Sequence, residues 1–292
     1  MKIGFIGTGV MGNPMVQHLF KKFGPIQVFT RTESKLANLL NLGCTKASPL
    51  EMAKSCDVII TMLGVPKDLE EVVLSDQTGF LGHMKPGSVF IDHTTSSPDL
   101  AEKIFEKASS HQVLALDAPV SGGDVGAKEG KLVIMVGGSE EGFEKAKDVL
   151  ETYAKEVRMF GKAGMGQHAK LANQISVAST VIGTCETILY AERVGLDAPA
   201  VVDLIKKGAA GSFSLEKYSP RIFNGDFEPG FFVEHFVKDL GLVLRECEKR
   251  NLILPGTQNA KMMYDMYNAN GGAKKGVQGI IQVLKMINGI EK

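Results

Sequence analysis

Segment 164–174 contains a lysine and two amide side chains at helical spacing. Lys170, Asn173 and Gln174 stand at positions i, i+3 and i+4, which places them on one face of a helix. The helix is otherwise apolar and the lysine lies near its positive dipole end, so desolvation and the dipole both predict a lowered pKa. Such a lysine suits general acid catalysis at neutral pH. The alternative is a lysine whose ammonium simply reaches solvent.

A second candidate site follows a predicted strand that ends at Asp117. The next residues read Ala-Pro-Val-Ser-Gly-Gly, in which Ser121 supplies a hydroxyl and Gly122 and Gly123 expose backbone N–H groups. Such groups bind carboxylates, and open parallel sheets bind ligands at the carboxyl ends of their strands. The alternative is a turn that binds no ligand.

The chain opens on an apolar run, residues 2–6, that leads directly into a glycine-rich turn and a helical pattern. The residues of the turn are Gly7, Thr8, Gly9, Val10, Met11 and Gly12. A strand, a glycine-rich turn and a helix start form an anion site, because Gly9 admits a pyrophosphate and Gly12 lets the helix pack on the strand. We therefore predict dinucleotide binding, and the alternative is a turn that serves packing alone.

The end of the second predicted strand bears on the choice between NAD and NADP. An acidic residue there would bind the ribose 2′-hydroxyl and repel a 2′-phosphate. The strand instead ends at Thr30 and Arg31, with no acidic residue before Glu33, and Arg31 offers a planar fork for a phosphate. The sequence therefore predicts NADP, and Met62 and Leu63, at the end of another strand, are assigned to the same cofactor site.

The elements that position these residues alternate along the first half of the chain. Short β-branched runs separated by helical patterns predict strands at 26–30, 58–62, 88–92, 113–117 and 132–136. Nearly continuous apolar runs are typical of strands covered on both faces, so we expect an α/β fold with a doubly wound Rossmann sheet. From about residue 164 a long helix is predicted. We divide the chain into a dinucleotide-binding domain, 1–162, and an all-helical substrate and oligomerisation domain, 163–292, joined by that helix.

Composition excludes several classes of partner. The 292 residues carry 33 Lys and Arg against 33 Asp and Glu, so the net charge does not indicate nucleic acid or an anionic membrane. The cysteines and histidines lack metal-ligand spacing, so no metal site is predicted. The longest apolar stretch is interrupted by charged residues, which indicates a buried helix rather than a membrane span. A strand at the N-terminus leaves no targeting segment, and we expect a cytoplasmic protein.

Five motifs occur in order along the chain. They are GxGxMG at 7–12, DHTTSSP at 92–98, DAPVSGG at 117–123, GxGxxxKxxNQ at 164–174 and KDL at 238–240. Together they resemble the β-hydroxyacid dehydrogenases, the family of 3-hydroxyisobutyrate dehydrogenase, tartronate semialdehyde reductase and glyoxylate/succinic semialdehyde reductase. The resemblance spans essentially the whole chain. A long apolar helix needs cover all round, so a homodimer is expected, and the resemblance also allows a homotetramer.

The resemblance implies a role for each matching residue. Lys170 would be the catalytic acid/base, and Thr95 and Lys238 would contact the cofactor near its nicotinamide. The substrate would be bound by Ser121, Gly122, Gly123, Asn173, Gln174, Phe231 and Asp239. Many members carry two consecutive asparagines where this chain has an asparagine and a glutamine, so the amide contact to substrate is expected to differ.

The Thr-Arg-Thr run and the His-Thr-Thr run at 93–95 most resemble the NADPH-using glyoxylate/succinic semialdehyde reductases. We therefore expect NADPH-dependent reduction of a short aldehyde-acid to a hydroxy acid. Hydride would pass to the carbonyl carbon while Lys170 donates a proton to the oxygen. The enzymatic alternatives are a 3-hydroxyisobutyrate dehydrogenase and a tartronate semialdehyde reductase. A non-catalytic nucleotide-binding module is a further alternative, against which Lys170 and Asn173 argue.

Overall fold

The computed structural model describes residues 1–290, which form two compact units, Met1–Lys170 and a second that begins at Leu171. The first unit contains a nine-stranded sheet, whereas the second is built from helices. The predicted fold class, a Rossmann sheet followed by an all-helical domain, is confirmed.

Most strands of the first unit are short, and those in the middle of the sheet are buried. In chain order they are β1 (Ile3–Ile6), β2 (Gln27–Phe29), β3 (Thr45–Lys46), β4 (Val58–Thr61), β5 (Val89–Asp92), β6 (Leu114–Asp117), β7 (Val120–Ser121), β8 (Leu132–Gly138) and β9 (Ala154–Gly161). Their order across the sheet is β3-β2-β1-β4-β5-β6-β8-β7, and β9 pairs with β8. The strands from β1 to β6 pair in parallel, β8 is antiparallel to β6 and β7, and β9 runs parallel to β8. The order reverses between β1 and β4, the place where doubly wound sheets bind ligands.

Helices cover both faces of this sheet because alternate apolar side chains of each strand point to opposite faces. The helices are α1 (Gly12–Phe23), α2 (Ala37–Leu42), α3 (Pro49–Ser55), α4 (Pro66–Leu74), α5 (Pro98–Ser110), α6 (Gly123–Glu129) and α7 (Glu140–Leu150). One core packs α1 and α7 against strand residues such as Phe5 and Ile60. A second core packs α3, α4 and α5 against the neighbouring strand residues Ile6 and Ile59.

Serine caps fix where three of these helices begin. The hydroxyls of Ser48, Ser97 and Ser139 each accept a hydrogen bond from a backbone N–H in the first turn of α3, α5 and α7. Each cap satisfies one of the N–H groups that a helix start leaves without an intrahelical partner. Local sequence therefore sets the register in which these helices meet the sheet.

Helix α8 (Met165–Arg193) begins in the first unit and continues into the second. Residues along its length, including Ala178, Val181 and Ile188, lie in the core of the second unit. The remaining α-helices are α9 (Ala198–Ile205), α10 (Ser219–Phe223), α11 (Val233–Lys249), α12 (Pro255–Tyr267) and α13 (Ile281–Ile287). The predicted domain limit between residues 162 and 163 precedes α8, whereas the compact units divide within α8, after Lys170.

None of the helices within residues 1–290 combines the length and apolar character needed to cross a membrane. Over the same range, no group of three or more His, Cys, Asp or Glu side chains could hold a metal ion. All four cysteines are buried as free thiols.

Candidate active site

A pocket of about 230 Å³ lies at the carboxyl ends of β1, β2 and β4. Its walls come from the turns after these three strands and from the first turns of α4. The lining includes five of the predicted cofactor contacts, Gly7, Gly9, Arg31, Met62 and Leu63. The pocket therefore occupies the point at which the strand order reverses, as expected for a nucleotide site.

The glycine-rich turn has the shape that a dinucleotide requires. A Cβ on Gly12 would overlap the carbonyl oxygen of Gly7, so only glycine lets α1 start this close to β1. A Cβ on Gly9 would meet nothing within 4 Å, which leaves open space above the turn for a phosphate group. The Thr8 hydroxyl is buried without a hydrogen-bond partner among the described residues. These features fit a pyrophosphate bound at the start of α1.

The predicted contacts Thr8, Val10, Met11 and Gly12 complete this turn and the first residue of α1. They do not line the pocket themselves. The first turn of α1 carries no acidic residue, and its last turn carries two lysines. Because an acidic side chain in the first turn would repel a phosphate, its absence there agrees with the predicted anion site.

Arg31 stands at the mouth of the pocket and is paired with an acidic residue. Its Nη1 and Nη2 atoms lie 3.0 Å and 2.6 Å from the two carboxylate oxygens of Asp68, a bidentate pair. Lys35 and Glu71 line the same pocket. The predicted phosphate-binding arginine is therefore present, but its guanidinium is already bonded to a carboxylate.

A buried hydrogen-bond network connects the pocket to the start of α8. The Leu63 N–H donates to the hydroxyl of Thr94 over 3.0 Å. The Gln167 side chain donates to the Thr94 carbonyl oxygen over 2.8 Å and accepts from the Ser96 N–H over 3.0 Å. Thr95, which is half-buried, lies between these two anchored residues. The segment predicted to face the nicotinamide is thus held by a side chain of α8.

Asp117, the last residue of β6, fixes the N-terminal end of α8. Its carboxylate accepts hydrogen bonds from the N–H groups of Gly164 and Gln167 at 2.9 Å and 2.8 Å. Burial raises the pKa of Asp117 to about 6, and these N–H donors act in the opposite direction. A carboxylate with this pKa is mainly ionised at neutral pH. Its negative charge then interacts favourably with the positive end of the α8 dipole.

His93 connects β5 to the loop that leads to Ser121. Its Nδ1 lies 2.5 Å from the Ala118 carbonyl oxygen, so Nδ1 carries the proton and Nε2 accepts from the Tyr153 hydroxyl at 2.8 Å. Burial lowers the pKa of His93 to about 4, which keeps the ring neutral. Ser121 then pairs with Val133 in the sheet.

The glycines after Ser121 adopt left-handed backbone conformations. Gly122 has φ = +127° and Gly123 has φ = +62°, values that favour glycine. They lead into α6, and Gly122 stands at its N-cap position. Ser121, Gly122 and Gly123 are all half-buried. The loop therefore offers a hydroxyl and turn N–H groups, the donor set that the sequence predicted for a carboxylate.

Lys170 lies in the second turn of α8 with only 7% of its surface exposed. The helix start that carries it is held by Asp117 and Gln167, so the backbone at Lys170 is fixed by bonds within the first unit. Lysine side chains are rarely buried to this extent unless they are paired. Lys170 is the only predicted catalytic residue.

The remaining predicted residues lie in the second unit, where hydrogen bonds and an ion pair connect the polar ones. Asn173 donates to the Gln174 side-chain oxygen over 2.8 Å, and Gln174 donates to Asp239 over 2.5 Å. The ammonium of Lys238 lies 2.8 Å from the other carboxylate oxygen of Asp239. Phe231 packs edge-on against Phe236, 5.5 Å between ring centres. The structure thus brings Asn173, Gln174, Lys238 and Asp239 together, and Phe231 is partly buried against the core of the second unit.

Sequence reasoning did not assign roles to Gln167, Asp68, His93 or Tyr153. A signal existed for Gln167, because it is a polar residue one turn before Lys170 on an otherwise apolar helix. The other three act through partners distant in the sequence, such as the pair formed by His93 and Tyr153. Spacing alone does not reveal such pairs.

Comparisons with known proteins agree with this arrangement. A family model described as the NAD binding domain of 6-phosphogluconate dehydrogenase matches residues 2–161. Another, described as NAD-binding of NADP-dependent 3-hydroxyisobutyrate dehydrogenase, matches residues 164–284. Together the two matches cover both compact units.

Named relatives and a solved structure extend over nearly the full length. The chain is 44% identical to the Arabidopsis thaliana protein "Probable 3-hydroxyisobutyrate dehydrogenase-like 1, mitochondrial", over 99% of this chain and 86% of the relative. It is 33% identical to the 2-hydroxy-3-oxopropionate reductase of Escherichia coli (strain K12), over 98% of each chain. A structure of Mycobacterium tuberculosis 3-hydroxyisobutyrate dehydrogenase with L-serine superposes with a TM-score of 0.87 at 31% identity, covering 97% of this chain and 99% of that one. The chain therefore belongs to the β-hydroxyacid dehydrogenase family and is an NAD(P)-dependent oxidoreductase.

Proposed function

We propose that this protein reduces short aldehyde-acids, such as glyoxylate and succinic semialdehyde, to hydroxy acids with NADPH. The observation that carries the proposal is the burial of Lys170 at the anchored start of α8. A buried ammonium on a fixed backbone is suited to donate a proton to a developing alkoxide. A bound nicotinamide supplies the hydride for the carbonyl carbon. Lys170 Nζ then supplies the proton for the carbonyl oxygen, and in the oxidative direction it takes that proton back.

Separate groups would orient the substrate. The Ser121 hydroxyl and the N–H groups of Gly122 and Gly123 are the proposed partners of the substrate carboxylate, since charge-assisted bonds to an anion are the stronger kind. Asn173 and Gln174 are proposed to direct an amide towards the substrate. Support comes from Gln174 being held by Asp239, because a fixed amide binds with less loss of entropy.

The NADP preference is supported by Arg31 at the mouth of the pocket and by Thr30, Thr32 and Lys35 in its lining. Arginine binds phosphate through a planar fork, and lysine adds a second positive charge. We propose NADP rather than NAD on this basis.

The test is the loss of NADPH or NADH absorbance with purified protein and each of four aldehydes: glyoxylate, succinic semialdehyde, tartronate semialdehyde and methylmalonate semialdehyde. We expect turnover that is faster with NADPH. Lys170→Ala should lower kcat by ~10²–10⁴-fold, the usual effect of removing a general acid, with NADPH affinity nearly unchanged. Lys162→Ala is the matched control, because Lys162 is an exposed lysine shortly before α8. Full activity in Lys170→Ala would contradict the assigned role.

A second candidate is the oxidation of 3-hydroxyisobutyrate. The printed names of the Arabidopsis and Mycobacterium relatives favour it, and that of the Escherichia coli relative favours tartronate semialdehyde. The same protein assayed with 3-hydroxyisobutyrate and NADP⁺ or NAD⁺ distinguishes these cases. A kcat/KM for 3-hydroxyisobutyrate that exceeds those for all four aldehydes in reduction would favour this second candidate.

A further inference from the structure

Asp68 is an acidic residue whose position brings it directly against the predicted phosphate-binding group. It lies in the first turn of α4 and lines the nucleotide pocket. Its two carboxylate oxygens accept hydrogen bonds from the two terminal nitrogens of Arg31, at 3.0 Å and 2.6 Å. The end-on fork that Arg31 would present to a phosphate is therefore occupied by a carboxylate.

The two partners differ in how firmly they are held. The Arg31 side chain is 74% exposed, whereas that of Asp68 is 20% exposed. Asp68 also lies in the first turn of α4, where the positive end of the helix dipole attracts its side chain and helps to hold it in place. Exposed ion pairs are weak, so Arg31 can leave its partner at little cost. The carboxylate of Asp68, by contrast, stays at the pocket wall.

The other charged residues of the pocket do not offset the negative charge of Asp68. Lys35 and Glu71 also line the pocket. Its charged lining therefore consists of two cations, Arg31 and Lys35, and two anions, Asp68 and Glu71. A 2′-phosphate entering here meets a site without net positive charge. It must displace or share Arg31 and lie near a fixed carboxylate, whereas an uncharged 2′-hydroxyl meets no such penalty.

We propose that Asp68 determines how strongly the protein selects NADP over NAD, by competing with the 2′-phosphate for Arg31. The inference rests on the cofactor site of the proposed function, in which Arg31 binds that phosphate. Asp68 is thus a selectivity residue that weakens NADP binding and leaves NAD binding largely unaffected.

The test measures dissociation constants of NADPH and NADH for Asp68→Asn and the parent protein. The chain contains no tryptophan, so nicotinamide fluorescence can be followed without tryptophan overlap. We expect the variant to bind NADPH about 3- to 10-fold more tightly, the effect of removing one partly screened like charge beside a phosphate. NADH binding should change by less than about twofold, because its 2′-hydroxyl is uncharged.

Glu70→Gln is the matched control. Glu70 lies on the same helix and has the same charge, but it pairs with Lys103 at 2.6 Å and does not line the pocket. Glu70→Gln removes one negative charge, as Asp68→Asn does. An effect of net charge alone on NADPH affinity would therefore appear in both variants. Repeating Asp68→Asn in an Arg31→Ala background should give a smaller gain for NADPH, because the competition for Arg31 no longer exists.

An unchanged or weaker NADPH affinity in Asp68→Asn would overturn the proposal, as would an equal shift for NADPH and NADH or the same shift in Glu70→Gln. These titrations contain no aldehyde, so a protein that fails to reduce any of the four aldehydes still gives a clear result. If the parent protein binds NADH more tightly than NADPH, the NADP preference fails. A selective gain of NADPH affinity in Asp68→Asn would then still support the role of Asp68.

Discussion

Gln167 links more parts of the first unit than its position in the sequence indicates. Its N–H bonds to Asp117, its side-chain amide bonds to the Thr94 carbonyl oxygen, and its side-chain oxygen accepts from Ser96. The side chain is fully buried, so water cannot replace a lost partner. The segment around Thr95, which we propose faces the cofactor, and the helix that carries the proposed catalytic lysine therefore depend on the same residue.

Gln167→Leu tests this dependence while roughly preserving side-chain volume. We expect the free energy of unfolding to fall by about 2–6 kcal/mol, because two buried backbone groups would lose partners at ~1–3 kcal/mol each. The dissociation constant of NADPH should rise as well, since the segment around Thr95 would lose both of its bonds to the Gln167 side chain. Urea unfolding and nicotinamide fluorescence measure the two effects.

The control for this substitution is Gln77→Leu, because Gln77 is exposed. Its unfolding free energy should change by no more than about 0.5 kcal/mol. A Gln167→Leu protein as stable as this control, with unaltered NADPH affinity, would show that the network does not position the segment.

At the scale of elements, the turn from β1 to α1 combines two requirements in neighbouring glycines. Gly12 is needed for packing, because a Cβ there would overlap the Gly7 carbonyl oxygen and approach the Phe5 ring at 2.8 Å. Gly9 has open space around its missing Cβ. Packing therefore requires Gly12, whereas Gly9 leaves room for a ligand.

Alanine at each position separates these requirements. Gly12→Ala should lower the free energy of unfolding by about 1–3 kcal/mol through overpacking. Gly9→Ala should leave that energy within about 0.5 kcal/mol of the parent value. It should nevertheless raise the NADPH dissociation constant by about tenfold or more, a loss of ~1.4 kcal/mol in binding. Unaltered NADPH affinity in Gly9→Ala would place the pyrophosphate elsewhere.

The elements with strong local signals were predictable from the sequence. Strands β1, β4, β5, β6 and β8 are apolar runs ended by turn residues, and their observed limits differ from the predicted ones by one or two residues. Strand β3 was not predicted, because its two residues are exposed and carry no apolar signal. Strand β9 was missed as well, since it pairs only with β8 and alternates with exposed charged residues.

The residues of the candidate site also differ in how far the sequence could predict them. Motif residues such as Gly9 and Ser121 could be found because their chemistry depends on immediate neighbours. The pairing of Arg31 with Asp68 could not, because it joins residues 37 positions apart that only the sheet brings together. For the same reason, the sequence contains no sign that Arg31 has a carboxylate partner.

At the scale of the whole molecule, buried ionisable groups tie stability to pH. Burial raises the pKa of Asp92 to about 7 and that of Asp117 to about 6, while it lowers the pKa of His93 to about 4. The two carboxyls favour the folded state at low pH, and this contribution is lost as the pH rises through their folded pKa values. His93 acts oppositely, because its contribution is present above its usual pKa of 6.5 and is lost as the pH falls towards 4.

Asp92→Asn isolates the largest of these contributions, because the amide cannot ionise and its oxygen can still accept from the Thr61 hydroxyl and the Thr94 N–H. Between pH 3.8, the usual pKa, and about pH 7, an unfolded chain releases a proton that folded Asp92 retains. The parent protein should therefore lose stability relative to the variant by ~1.4 kcal/mol per pH unit, on the order of 4 kcal/mol in all. Urea unfolding of both proteins from pH 4.5 to 8.5 measures this difference, in which the contribution of His93 cancels. Asp117 lies beside Asp92 in the sheet, and its charge is part of what raises the pKa of Asp92. The difference should grow up to about pH 7 and level off above it. A constant difference across the range would mean that Asp92 is ionised in the folded protein throughout, held by its hydrogen bonds against the cost of burial.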